Sequence, residues 1–511
     1  MSNKNLFTQI ELSRPDKNVF DLTHDVKMSM RFGNLTPICA LEAVPGDKFR
    51  ISAESLIRLA PMVAPVMHRM DATIHYFFVP NRILWDGWEK WITAPAPTAV
   101  HPFVQANLTN HPDTAPNRVL DFFGIPPLPV GSNPANISAF PLAAYAAIYH
   151  EYYRDQNLIP EFNYKLTDGN NTANLELFKM RQRAWEHDYF TSSLPFAQKG
   201  APVSIPLGDV KLKDNWSAQT PNAFGPNFVN VDGVTIPAGV PDQQAGNIRI
   251  PGSNTNARTA YDPNNTLEVG PTQINDLRRA FKLQEWLERN ARAGTRYIEN
   301  ILAHFGVRSS DARLQRPEYI TGSKTPVVVS EVLNTTGFQI PQGNMSGHGI
   351  AVVNSQTKSY YCEEHGWIIG LMSIIPKPAY QQGIERKWLK INDPFEYYWP
   401  SFAHIGEQEV QNQEIYAYGT QPEGTFGYVP RYAEYKYAPS RVAADFRSTL
   451  DYWHIGRIFA NQPALNQEFI ECVPREDIFA VVDPNEDKFY VHVLNKITAV
   501  RPMPFFGSPK M

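Results

Sequence analysis

Two runs near opposite ends of the 511-residue chain place residues on opposite faces with a period of two, and a largely apolar run between them is a third strand candidate. In RMDATIHYFFVP (69–80), Met70, Ala72, Ile74, Tyr76 and Phe78 alternate with Asp71, Thr73, His75 and Phe77, and Pro80 ends the run. KFYVHVLNKITAV (488–500) puts Phe489, Val491, Val493 and Ile497 on one face and Tyr490, His492, Leu494, Lys496 and Thr498 on the other. In HGWIIGLMSIIP (365–376), Trp367, Ile369, Leu371, Ser373 and Ile375 share a face until Pro376. This period predicts half-buried strands. Strands that occur early and late, with long excursions between, fit an all-β dominated Greek-key sandwich better than a βαβ repeat.

The excursions carry other signals. Proline makes up 43 of the 511 residues and is spread throughout, while aromatics reach 12%. Average proline usage is about 5%. Rigid turns and ordered loops produce such a mixture, whereas disordered chains lack the aromatics. SAFPLAAYAAIYHEYYRDQN predicts a helix capped by Ser138, with Pro141 in its first turn and Leu142, Tyr145, Tyr149 and Tyr152 in register. A helical insertion is expected over 272–306, with Ile274, Leu277, Phe281, Ile298, Leu302 and Phe305 in rows, Gly294 interrupting and Gly306 closing it. Its arginines 278, 279, 289, 292 and 296 are expected on a solvated face with helical ion pairs. Residues 205–270 hold seven prolines, seven glycines and nine asparagines with little charge, and predict an ordered projection of small hairpins.

Enzymatic and metal chemistry find little support. EEHGW (363–367) lacks the second histidine of a helical zinc site, and neither TGSKTP (321–326) nor GNMSGHG (343–349) forms a phosphate-binding fingerprint. His101 and His111 precede prolines as turn residues do, and no cofactor is expected. Cys39, Cys362 and Cys472 lie far apart and are read as buried free thiols. No run reaches the roughly 20 apolar residues of a membrane span, and no secretory signal is visible, so the product is expected to stay in the cytoplasm where it is made. The net charge of −4 excludes a generally basic nucleic-acid grip and makes any such contact local.

GYVPRYAEYKYAPSR (427–441) sets Tyr428, Tyr432, Tyr435 and Tyr437 among Arg431, Lys436 and Arg441, in a segment read as neither helix nor regular strand. Tyr and Arg combine contact area with polar ends that remain satisfied in an interface. An ordered loop at a contact between subunits is expected, with Tyr428, Arg431, Tyr432 and Tyr435 as anchors; a loop buried within its own subunit is the alternative.

Specific runs carry a resemblance across most of the chain: RMDATIHYFFVPNRILWDGWEKWI (69–92), IYHEYYRDQN (148–157), RAWEHDYFTSSLPFAQKG (183–200), EVLNTT (331–336) and GYVPRYAEYK (427–436). With these the chain resembles the major capsid proteins of the Microviridae, small icosahedral single-stranded DNA phages, and most of all the gokushovirus branch. The resemblance implies an eight-stranded jelly-roll β-sandwich with long loop and helical insertions, forming one domain over 1–511. It also implies a T=1 shell of sixty copies around circular single-stranded DNA. Small basic DNA-binding virion proteins, a pilot protein and a host surface receptor are the other partners it implies. Residues 205–270 match no family motif.

Three further expectations follow. Arg501, Phe505, Phe506 and Lys510 in AVRPMPFFGSPKM are read as facing DNA, with a tail clamped on a neighbouring subunit as the alternative. Asn222, Phe224, Asn227, Asn254 and Asn256 are read as part of a host-contact loop. A carbohydrate-active or carbohydrate-binding β-sandwich is the rival function, using Trp85, Trp88 and Trp91, although their three-residue spacing equally fits a packed helical face.

Overall fold

The computed structural model describes residues 15–94, 98–105, 118–126, 135–204, 273–294, 296–333, 345–481, 483 and 485–506, with short strands at 210–212, 242–244, 247–249 and 267–269. Its main strands are β1 (Asn18–Asp21), β2 (His24–Met30), β3 (Thr36–Ala43), β4 (Lys48–Leu59), β5 (Met70–Pro80), β6 (Glu318–Leu333), β7 (Met345–Asn354), β8 (Lys358–Tyr361), β9 (Gly366–Pro376), β10 (Glu407–Gln411), β11 (Thr425–Pro430) and β12 (Phe489–Arg501). One antiparallel sheet runs β2–β12–β4–β7 and another β3–β9–β5–β6. Because β6 pairs with β5 through 318–327 and with β7 through 328–333, it carries the ladder from one sheet to the other. Eight strands that alternate between two sheets in this order form a jelly roll, as expected. β1 and β8 lengthen its margins by pairing with β12 and β4.

Alternation builds the core. Phe49, Ile51 and Ile57 of β4 and Phe489, Val491 and Val493 of β12 meet Met70, Ile74 and Tyr76 of β5 and Ile368 and Met372 of β9. The reading of β5 as half-buried is corrected, because it is buried on both faces, as β9 is. Phe77, Val79, Ile369 and Leu371 lie under the helix Phe140–Ile148, whose Leu142, Tyr145 and Ala146 pack in the same cluster. A helix lying on the outer face of a sheet leaves no polar side to either element. Ala139 rather than Ser138 is the N-cap, and Ser138 Oγ accepts from the Phe140 amide at 3.4 Å.

One polar residue ties the two sheets together. Asn495 points inward from β12; it accepts from the Tyr76 hydroxyl at 2.6 Å and donates to the Ile38 carbonyl at 2.9 Å. The β3–β9 register slips at Ile38, which frees that carbonyl from its ladder. Asn495→Leu is expected to cost about 1–3 kcal/mol for each group it orphans. Urea unfolding should show the loss, and adding Tyr76→Phe should restore part of it. No recovery in the double variant would show that packing, not the hydrogen bond, sets the cost.

The chain folds as two compact units, one of residues 1–197 with 291–511 and one of residues 198–290. Helices span Ile274–Ala293 and Tyr297–Phe305, and Gly294 (φ +97°) and Gly306 (φ +68°) take the left-handed backbone expected at a break and a stop. The solvated-face reading holds for Arg289, paired with Glu285 at 3.2 Å. It is corrected for Arg292, which pairs with Glu407, and for Arg296, which donates to the His150 and Arg154 carbonyls at 2.6 and 3.0 Å. Within the second unit, 210–212 pair antiparallel with 267–269, so the intervening segment leaves and returns at neighbouring points. The three cysteines are buried and free, and burial pushes the Cys39 thiol up to about 12.

Candidate inter-subunit surface

The tyrosine-rich segment lies in the excursion between β9 and β12. Its first part is a regular strand, which corrects the irregular reading: β11 pairs antiparallel with β10. Phe426 and Val429 of β11 enter a separate apolar cluster with Val410, Ile415, Phe190, Tyr380 and Phe469. Tyr428 exchanges both backbone hydrogen bonds with Leu194 at 2.8 Å.

Beyond Pro430 the chain turns sharply. Tyr432 sits in the left-handed region (φ +61°), which costs a bulky residue on the order of 1–3 kcal/mol unless its surroundings hold it there. They do. Its amide donates to Gln408 Oε1 at 2.9 Å, its hydroxyl accepts from the Trp399 amide at 3.3 Å, and its ring lies 5.1 Å from that of Tyr398. The side chain is 1% exposed, so Tyr432 is corrected from a contact anchor to a core residue of its own subunit. Arg431 stacks its guanidinium 4.8 Å from the Tyr432 ring and donates to the Phe395 carbonyl at 2.7 Å. Arg431 is thus tied to its own subunit by one hydrogen bond and one ring contact.

The next turn, Ala433–Tyr435, aims Glu434 inward and Tyr435 outward. Glu434 meets the buried ammonium of Lys390 at 2.6 Å and accepts from Gln408 Nε2 at 2.7 Å. Burial alone would raise its pKa, but these partners outweigh that and hold it below the usual carboxylate range. The same ammonium lies 3.8 Å from the Tyr435 ring centroid, which fixes the tyrosine while more than half of it stays exposed.

Tyr435 joins a larger surface that the sequence reading missed. Residues 386–402 pass through three single 3-10 turns, Arg386–Trp388, Pro394–Glu396 and Pro400–Phe402, two of them opened by proline. Turns this short have no second layer in which to bury side chains. Trp388, Ile391, Phe395, Tyr397, Tyr398 and Trp399 are accordingly all exposed, Trp388 at 67% and Ile391 at 83%. Internal bonds stiffen them: the Asp393 carboxylate caps the Phe395 amide at 2.8 Å and Trp399 Nε1 donates to the Pro394 carbonyl at 3.1 Å. A cavity of about 400 Å³ opens alongside, lined by Tyr380, Gln381, Arg386, Trp388, Tyr437 and Arg441. The available signal was KWLKINDPFEYYWPSF (387–402), with six aromatics among prolines and neither helical nor strand periodicity.

The other expected site residues fare differently. Arg501 pairs with the buried Asp47 at 3.0 Å and lies 5.5 Å from the Phe49 ring, so its assignment as a free DNA-facing cation is corrected to a structural ion pair. Phe505 stacks on Phe20 at 5.9 Å and Phe506 is exposed. Lys510, His111, Asn222, Phe224, Asn227, Asn254 and Asn256 lie outside the described residues. His101 packs between Trp91 (5.0 Å) and Phe140 (5.3 Å). Trp85 and Trp88 are buried against the helix at 140–148, which removes them as a carbohydrate-binding face.

Comparison with known proteins identifies the family. The model of the family described as capsid protein (F protein) matches residues 8–511. Capsid protein VP1 of Chlamydia phage 1 is 35% identical over 590 residues, covering 99% of this chain and 97% of that protein. Capsid protein VP1 of Bdellovibrio phage phiMH2K is 35% identical over 535 residues, covering 99% and 98%. Capsid protein VP1 of Spiroplasma virus 4 is 30% identical over 548 residues, covering 98% and 97%. Matched along nearly its whole length and built as a jelly roll, the chain belongs to the capsid protein (F protein) family of the gokushovirus-like Microviridae.

Proposed function

We propose that sixty copies of this chain close into a T=1 shell around circular single-stranded DNA, with the aromatic ledge buried where copies meet. Membership of the family makes the chain a structural capsid protein of the virion that self-assembles. The observation that carries the finer reading is the ledge. Trp388, Ile391, Phe395, Tyr397, Tyr398, Trp399 and Tyr435 form an exposed apolar surface on pre-stiffened turns, and such surfaces mark contact sites. Little entropy is lost on docking side chains that are already fixed. Tyr437 and the adjoining cavity offer a socket for a neighbour's side chain. A closed icosahedral shell brings copies together around more than one kind of symmetry axis and so requires several different faces per copy, of which the ledge is one.

Residues 205–270 are proposed as an outward projection that meets a host receptor. Support comes from their turn-rich composition and from the paired strands that bring the two ends of the segment together. Small basic DNA-binding proteins and a pilot protein complete the proposed virion, assembled in the host cytoplasm. Electron microscopy of the purified full chain tests the shell: uniform closed particles are expected, and monomers under every assembly condition would count against it. Replacing Asp209 to Pro263 by a short glycine linker should leave particles intact but abolish adsorption to host cells. Normal adsorption would remove the receptor role, and failed assembly would place the segment among the shell contacts.

A further inference from the structure

The outer face of the β2–β12–β4 sheet is a cationic surface on an acidic chain. Side chains that alternate with the core residues point away from the sandwich: Asp25, Lys27 and Ser29 from β2, Tyr490, His492, Leu494 and Lys496 from β12, and Lys48, Arg50, Glu54, Leu56 and Arg58 from β4. With Asp21 of β1, the face carries five lysines and arginines against three carboxylates, whereas the chain as a whole carries −4. Two of the carboxylates are already engaged, Asp25 by His492 at 3.1 Å and Glu54 by Lys496. Lys27, Lys48, Arg50 and Arg58 have no ion-pair partner among the described residues.

Aromatic rings stand beside these cations. Tyr490 lies between Ser29 and Arg58 across the ladder, and Tyr361 of β8 lies opposite Lys48 with the Lys17 ammonium 5.7 Å from its ring. Both tyrosines are about half exposed. Further along the rows, Ile350 and Val352 of β7 continue the face as exposed apolar residues opposite Arg58 and Leu56. On β4, Lys48 and Arg50 stand roughly 7 Å apart as alternate residues, and Arg58 lies eight residues further along the same strand.

We infer that this sheet face contacts the phosphates and bases of single-stranded DNA, with Lys27, Lys48, Arg50 and Arg58 on phosphates and Tyr490 and Tyr361 stacking on bases. The inference rests on the reading of the chain as a shell around such DNA, and it makes this face the inner wall. The chemistry selects the occupant. Unpaired cations interleaved with exposed aromatics fit a flexible polyanion with flat bases, which needs no shape match and tolerates any sequence. The same face of a second copy would bring like charges together. The sheet also supplies what the tail residue Arg501 cannot, because Arg501 is held by Asp47.

The test compares the full chain with a Lys27→Gln, Arg50→Gln, Arg58→Gln variant and with Tyr490→Ala. Binding of a fluorescent single-stranded oligonucleotide to the unassembled chain is measured against salt. Each single-strand phosphate contact contributes roughly 0.7 to the slope of log affinity on log salt, so the triple variant should lose about 2. In DNA-filled wild-type particles, ultraviolet cross-linking should attach nucleotides to peptides from 48–58 and 489–498, and Tyr490→Ala should reduce the second. An unchanged slope, or cross-links confined to other peptides, overturns the inference. A folded triple variant that binds DNA normally but forms no particles reassigns the face to a contact between copies. If the wild-type chain never assembles, the shell reading fails, while the salt slope still decides the DNA assignment on its own.

Discussion

Tyr432→Ala is expected to abolish the folded subunit rather than its assembly. Truncating a fully buried aromatic costs about 3–5 kcal/mol through lost transfer energy and the cavity left behind. Tyr432 has neighbours that make collapse difficult, because Tyr398 also packs on Tyr435, Arg431 donates to the Phe395 carbonyl and the Trp399 indole donates to the Pro394 carbonyl. Alanine would also retain the left-handed backbone without the contacts that compensate for it. Most domains have only 5–15 kcal/mol in hand, so soluble yield and the urea midpoint should both fall sharply. Tyr432→Phe should cost far less, since it keeps the ring. A Tyr432→Ala chain with a wild-type midpoint that fails only to assemble would return Tyr432 to the interface.

The opposite outcome is expected one step away on the surface. Trp388→Ala combined with Ile391→Ala should change subunit stability by no more than about 0.5 kcal/mol, the usual range for exposed positions. Particle formation should nevertheless be lost. A tryptophan at the centre of a contact contributes about 2 kcal/mol or more, and a loss of that size weakens a single contact roughly 30-fold. Every copy in a closed shell makes the contact, so the penalty recurs throughout the particle. Light scattering against protein concentration should show the assembly threshold rising beyond reach while the circular dichroism of the subunit stays unchanged. Wild-type particles from the double variant would free the ledge from the shell.

These two variants separate residues that the sequence alone had grouped. Tyr432 and Tyr435 both belong to one aromatic and cationic run, and nothing in their spacing says which enters the core. The sorting comes from the left-handed turn at Tyr432 and from the sequence-distant Lys390, which seats Glu434 and supports the Tyr435 ring. Trp388 and Ile391 escaped notice because their run carries no periodicity, and composition alone does not tell an irregular core loop from an exposed one.

The sequence by itself determined three of the eight strands that build the sandwich, β5, β9 and β12, together with the helix covering it, the glycines that stop the 274–305 helices, and the burial of the three cysteines. Each rests on a local rule: side chains alternate with a period of two on a strand, recur near every third or fourth residue on a helix, and glycine tolerates a positive φ. Motif runs spread over the chain determined the family as well. Only the tertiary structure decided which faces remain open. β5 and β9 are buried on both sides because a distant helix lies over them, Arg501 is neutralised by Asp47, and β12 gathers onto one face the cations of β2 and β4 that have no ion-pair partner among the described residues. Burial and charge pairing depend on partners far away in sequence, and a one-dimensional pattern cannot carry that information.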